Sequence, residues 1–331
     1  MVYPPQTSWG GKKHKYCICW DPAPKNDNSP ILIGEVYTDD NDHQTRGAFV
    51  YMENLIKKFS DRTLRPMTSE EQVQRIREMI YEYNGRDRVP PYENIMLLVD
   101  AGAGGQPYPA IQQLMKSWTD KNGIKHPGLY DETDDASKVW QRDTPDAAGA
   151  VKGHMRVLNP RKYRNDFFIA AKTIIPSGCI IFPIDQPKED EITCDWGRFA
   201  GQTIHLDATM KEAYHQMDLM KIEMVSMVGT KNAQSGVMTF QLAPEKQNRM
   251  HDDRNYVAMM FCWHVQQVRE GTQKGVHVDF EKGYIDRVMN AAIPSAKAED
   301  QVAQMIRDSD DPMAKYLRAM GNSLNHGPKQ S

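Results

Sequence analysis

Three stretches of the chain place carboxylates where an apolar run begins or ends. In "RMHDDRNYVAMMFCWHV" the adjacent Asp252 and Asp253 follow a histidine and stand directly before a run that reads as a buried helix. "KYCICWD" reads as a short apolar strand closing on Asp21, and "IMLLVD" as another closing on Asp100. Like charges beside apolar surface repel each other and are costly to desolvate, so they need hydrogen-bond donors, basic partners or a cation. If the two strands lie side by side, their terminal carboxylates leave one sheet edge at about the 4.8 Å strand spacing. Asp252 or Asp253, at a helix start, then closes a triangle. Such hard oxygen ligands suit Mg²⁺ or Mn²⁺. One such ion, or two about 3.5 to 4 Å apart, activates water and stabilises a leaving oxygen in phosphodiester cleavage.

Each acid alone has a plainer reading. Asp253 is placed to be a helix cap or first-turn acid, Asp21 precedes Pro22 as a turn residue would, and Asp100 precedes "AGAGG" as a strand-to-helix cap would. His251 is a lone histidine at a helix start. "GAGG" matches neither the dinucleotide fingerprint nor the phosphate-binding P-loop. Only the joint pattern of acids favours a metal site.

The elements that must position them can be read from hydrophobic period and turn residues. Lys15–Asp21, Ile31–Tyr37 and Gly47–Ile56 form a three-stranded meander. The stretch from Ser69 is an amphipathic helix with Val73, Ile76, Ile80 and Tyr83 on its apolar face, a capping box of Ser69 with Gln72, and Gly85 as terminator. Ile95–Val99, apolar without interruption, is a central strand covered on both faces, and a helix follows from about Pro109 to Trp118. Residues 119–159 are polar and are expected to be a long insertion or loop. "RNDFFIAAKTIIPSG" is a helix, "CIIFP" a short buried strand, "DATMKEAYHQMDL" a helix, and Met220–Ala243 a β-hairpin turning at Lys231, Asn232 and Gly236. The expected organisation is one domain over 1–270 and a polar tail over 271–331, partly helical or disordered. The fold class is α/β: a mixed sheet with helices on both faces and an auxiliary hairpin.

Composition narrows the class. With 331 residues, 40% apolar, the chain can fill a substantial core. No apolar run approaches a membrane span and the start lacks a signal-peptide core, so a cytoplasmic protein is expected. The five cysteines have no zinc spacing, and Cys17 and Cys19 share one face of a strand, poor geometry for a disulfide. A net charge of −3 does not mark a nucleic-acid binder, but "GGKKHK" with Lys12 and Lys13, and "NPRKYR" with Arg161, Lys162 and Arg164, are basic islands able to meet phosphates.

With "CWDPA", "LLVDAGAGGQPY" and "RMHDDRNYVAMM" in this order, and "RNDFFIAAKTIIPSGCIIFP" and the Met220–Leu242 hairpin between them, the chain resembles the nuclease domain of the large terminase subunit of tailed bacteriophages, within the ribonuclease H-like superfamily. The match runs over roughly Lys15–Val265. It implies a two-metal endonuclease that cuts concatemeric double-stranded viral DNA in the cytoplasm of the infected host. Asp21, Asp100 and Asp253 would bind Mg²⁺ or Mn²⁺, with Asp252 as an auxiliary ligand and the choice between the two neighbours open; Lys231 of the hairpin would contact or gate DNA. Portal and small terminase subunit are the implied partners. A whole large terminase also has a packaging ATPase; no GxxxxGK[ST] motif is present, so that activity is expected to lie in a separate domain or subunit. Two other classes compete: a ribonuclease H-like resolvase or transposase-type nuclease, and a non-catalytic docking module whose acids are only caps. A phosphohydrolase built on His251 and Asp252 would need further histidines at helical spacing, and the other nine are scattered.

Overall fold

Strands rich in Ile, Val, Leu and Cys can be buried on both faces, and here they build the middle of a mixed sheet. The computed structural model describes residues 1–271 apart from 9, 12–13, 23–28, 59–63, 86–91, 103–107, 121, 232–237 and 248. Lys12, Lys13, the turn residues Asn232 and Gly236 and the expected tail from 272 onward therefore lie outside the described residues. In chain order, β1 (Lys15–Trp20), β2 (Pro30–Thr38) and β3 (Thr45–Asn54) form the antiparallel meander. A small ladder of β4 (Ile56–Lys58) and β5 (Leu64–Pro66) leads into α1 (Ser69–Asn84). Next come β6 (Ile95–Asp100), parallel to β1, and α2 (Tyr108–Met115). The short β7 (Trp118–Thr119) and β8 (Lys125–His126), then α3 (Asp135–Asp143), precede β9 (Met155–Leu158), which is parallel to β6. After α4 (Pro160–Ile174), β10 (Ile180–Ile181) joins β3 in parallel, and β11 (Glu191–Thr193) pairs with β12 (Thr203–His205). The chain continues through α5 (Ala208–Val225), the hairpin β13 (Met227–Lys231) and β14 (Met238–Leu242), and α6 (Asp253–Arg269). The main sheet has the order β10-β3-β2-β1-β6-β9. A meander whose first strand carries parallel strands on its other side is the ribonuclease H-like arrangement expected from the sequence. Among the described residues no helix is long and apolar enough to cross a membrane.

Three local readings shift. The cap of α1 is Thr68, one residue before the expected Ser69, with Glu71 closing the capping box; either hydroxyl precedes an acid or amide at the right distance, so spacing alone did not choose. The 119–159 stretch is not all loop: "MRVL" at its end is β9, a strand of the main sheet. Its four residues are too few to show a period. α5 runs on to Val225, so the hairpin is shorter than Met220–Ala243; unbranched Met and Lys favour helix over strand.

Alternation decides what each face of the sheet meets. Tyr16, Ile18, Trp20, Leu97 and Val99 share one core with Val73, Ile76 and Ile80 of α1 and Ile111 of α2. Cys17, Cys19 and Leu98 point to the other face, beneath α6. Every residue of α6 from Arg254 to Val265 is buried, as expected of a helix enclosed on all sides. It seats in a hollow made by two glycines: a Cβ at Gly34 would lie 2.1 Å from the Phe261 ring, and one at Gly47 2.8 Å from it. The helix runs against the direction of β1, because Arg269 at its end donates to the Thr45 carbonyl at 2.7 Å, at the start of β3. Its first residue must therefore lie over the opposite edge, where β1 and β6 end.

Gly34→Ala should thus destabilise the protein by about 1 to 3 kcal/mol through overpacking against Phe261, measured by denaturant unfolding. Gly149→Ala, where an added methyl meets nothing within 4 Å, should change stability by less than about 0.5 kcal/mol. Equal losses in the two variants would remove Phe261 seating as the cause.

Candidate active site

The sheet register brings the first two acids together. Cys19 pairs with Leu98 and Trp20 with Val99 in the parallel β1–β6 ladder. Asp21 and Asp100 are the next residues on each strand, and by alternation both follow Cys19 and Leu98 onto the α6 face. Asp21 is fixed through its backbone, its N–H donating to the Pro30 carbonyl at 3.3 Å and its carbonyl accepting the Ser29 hydroxyl at 2.9 Å. Two residues past Asp100, Gly102 has a φ of +66°, natural for glycine. Its N–H donates to Asp100 Oδ1 at 2.6 Å.

Burial dominates the electrostatics. Asp100 is only 6% exposed, and desolvation raises its pKa above the ordinary carboxylate value, against the opposing pull of the Gly102 N–H, the Tyr256 hydroxyl and the Arg164 guanidinium. Tyr256 is pushed far above the usual phenol value, first by burial and then by the charges of Asp100 and Asp21. It therefore stays a neutral donor. The hydroxyl lies close enough to both carboxylates to feel them, yet it has no partner at hydrogen-bonding geometry.

Tyr256 also ties α6 to this edge. It stands three residues after Asp253, the first residue of α6, and feels the charges of Asp100 and Asp21. Asp252 occupies the N-cap position but makes no side-chain capping bond. It pairs instead with Arg164, whose guanidinium lies 5.3 Å from the Tyr256 ring centroid and 5.4 Å from that of Phe168. Asp253 begins the helix, with His251 Nδ1 3.9 Å from its carboxylate. His251 itself is largely exposed. On the far side, Glu223 of α5 is buried, and desolvation raises its pKa, with Asp253 adding in the same direction.

The donor set fits a hard divalent cation in kind: carboxylates at adjacent strand ends and two more at the helix start. Placement is less complete. Among the described residues no three His, Cys, Asp or Glu side chains converge closely enough to hold a metal ion, and Asp252 is turned to Arg164. Arg161 and Lys162 are exposed in the first turn of α4, just beyond Leu158, the partner of Asp100, and so on the same edge. Lys231 is exposed at the end of β13, whereas Arg164 is engaged within the site. Sequence reasoning missed Tyr256 and Glu223. The first is legible in "DDRNY" as a helical spacing; the second, 30 or so residues from its partners, leaves no local signal.

No protein-family model matches the chain, and no curated protein does. Two solved structures are similar to it. They are the crystal structure of the large terminase nuclease from thermophilic phage G20c, at 13% identity and a TM-score of 0.40 over 81% of this chain and 93% of that one, and the same nuclease with bound magnesium, at 13% identity and a TM-score of 0.39 over 81% and 92%.

Proposed function

We propose that the chain is a metal-dependent DNA endonuclease of a viral genome-packaging motor, cutting concatemeric double-stranded DNA. The observation that supports this best is the β1–β6 register, which sets Asp21 and Asp100 side by side on the face overlain by the start of α6. Asp21 and Asp100 would hold Mg²⁺ or Mn²⁺, with Asp252 or Asp253 reaching in from the helix. One or two such ions, when bound, supply an activated water and charge stabilisation at the leaving oxygen. The remaining work falls to the protein. Tyr256 offers a neutral hydroxyl beside both carboxylates. Arg164 offsets the charge of Asp100 and holds Asp252. Arg161 and Lys162, exposed at the same edge, would meet backbone phosphates without reading sequence; Lys231, and Lys12 and Lys13, would add to that contact. In this reading the packaging ATPase is a separate domain or subunit, portal and small terminase subunit are partners, and the reaction takes place in the host cytoplasm.

Asp21→Asn and Asp100→Asn should each lower Mn²⁺-dependent nicking of supercoiled plasmid by at least about a hundredfold, with DNA retention on a filter unchanged. Four-way junctions and RNA–DNA hybrids run in parallel identify a resolvase or ribonuclease instead. Wild-type rates from both variants would end the reading and leave the docking module. A second expectation concerns stability. Because burial raises the Asp100 pKa in the folded state, the native protein binds more protons than the unfolded chain between the two values, and stability falls as pH rises through that interval. Without added metal, Asp100→Asn should therefore melt above the wild type at about pH 8 and lose that advantage at about pH 3, where the carboxyl is protonated folded or unfolded. The same difference at both pH values would contradict a desolvated carboxylate.

A further inference from the structure

A helix leaves its first N–H groups without intrahelical partners, and the residue at the N-cap usually satisfies one of them with its own side chain. At α6 it does not. Asp252 stands at the N-cap and makes no capping bond; the N–H of Asn255, two residues into the helix, donates instead to Glu223 Oε2 of α5 at 2.9 Å. The other oxygen of Glu223 accepts from Arg254 Nη1 at 2.9 Å. Arg254 Nε in turn donates to Gln216 Oε1 at 2.7 Å, and Gln216 Nε2 to Glu212 Oε1 at 2.7 Å. Glu223 is 3% exposed, and a buried carboxylate is an expensive way to cap a helix. Two aspartates already at the helix start could do it more cheaply. Asp252 is instead turned to Arg164, and the cap falls to Glu223.

We propose that Glu223 is a positioning residue, capping α6 from the neighbouring helix so that its first turn, which carries Asp253, is held in register for the divalent cation while Asp252 stays with Arg164. The inference rests on the metal-centre reading above. It assigns Glu223 no contact with the ion: both oxygens are taken by Arg254 and the Asn255 N–H. Its contribution is registry, because a carboxylate ligand displaced by about 0.5 Å already loses productive geometry. Gln216 and Arg254 extend the clamp along α5, so the first turn of α6 is held by a second helix as well as by the sheet below.

The test separates reach from charge in the full chain. Glu223→Gln keeps an oxygen for the Asn255 N–H and loses the charge; Glu223→Asp keeps the charge and withdraws by one methylene. Mn²⁺ binding is followed by calorimetry well below the melting temperature of each variant, with amide exchange at Asn255 as a second readout. Glu223→Gln should bind Mn²⁺ within about threefold of the wild type, and Glu223→Asp about tenfold more weakly, with faster Asn255 exchange, in line with residues that orient metal ligands. Unchanged Mn²⁺ affinity in Glu223→Asp would reduce Glu223 to a structural lock between α5 and α6. The reverse order, with Gln weaker than Asp, would make its effect one of charge and likewise overturn the proposal. If the wild type itself takes up no Mn²⁺, the metal-centre reading fails, and this inference with it.

Discussion

The enclosure of α6 against the sheet is the interaction on which the rest depends. Two glycines on neighbouring strands leave room for one phenylalanine ring, and that fit fixes how far along and how near the sheet the helix can sit. Because the helix runs against β1 and ends beside the start of β3, its beginning is carried to the edge where β1 and β6 close on aspartates. Neither acid-bearing strand end needs knowledge of the other; register and a buried rod bring them to a common place. The cooperative core, not a local loop, is what sets the geometry.

At that edge the chain accumulates negative charge and manages it in three different ways. Asp100 is buried and answered by a glycine N–H and by Arg164. Asp252 is answered directly by Arg164, and Glu223 by Arg254 and the start of the helix. Arg164 serves two of these acids while lying over two aromatic rings, which favours its planar guanidinium over a lysine ammonium at this position. Dividing the charge among separate basic and N–H partners limits the cost of burying several carboxylates near one another.

Much of this was legible in the sequence because the signals are local. The meander, the apolar strand to Asp100, the amphipathic α1 and the buried α6 all announce themselves through period and punctuation, and the order of their acids was enough to suggest the fold. What escaped was non-local or too short. β9 has four residues and no visible period, so only its ladder with β6 identifies it. Glu223 and Arg254 are paired across two helices, and the aspartates next to Arg254 gave no reason to look for a cap elsewhere. The split between helix and hairpin near Val225 was misplaced because a methionine-rich run suits either state until packing chooses.

The all-round burial of α6 has a consequence for how this chain can diverge. Each residue of an α-helix turns the next by about 100°, so an insertion or deletion anywhere between Asp253 and Phe261 would swing both aspartates off the sheet edge while the ring stayed seated. Length changes within that span would rotate the helix start relative to the seated ring, whereas loops elsewhere can lengthen without doing so. The spacing between an acid and a ring, rather than the identity of the residues around them, is what descendants of this sequence would have to keep.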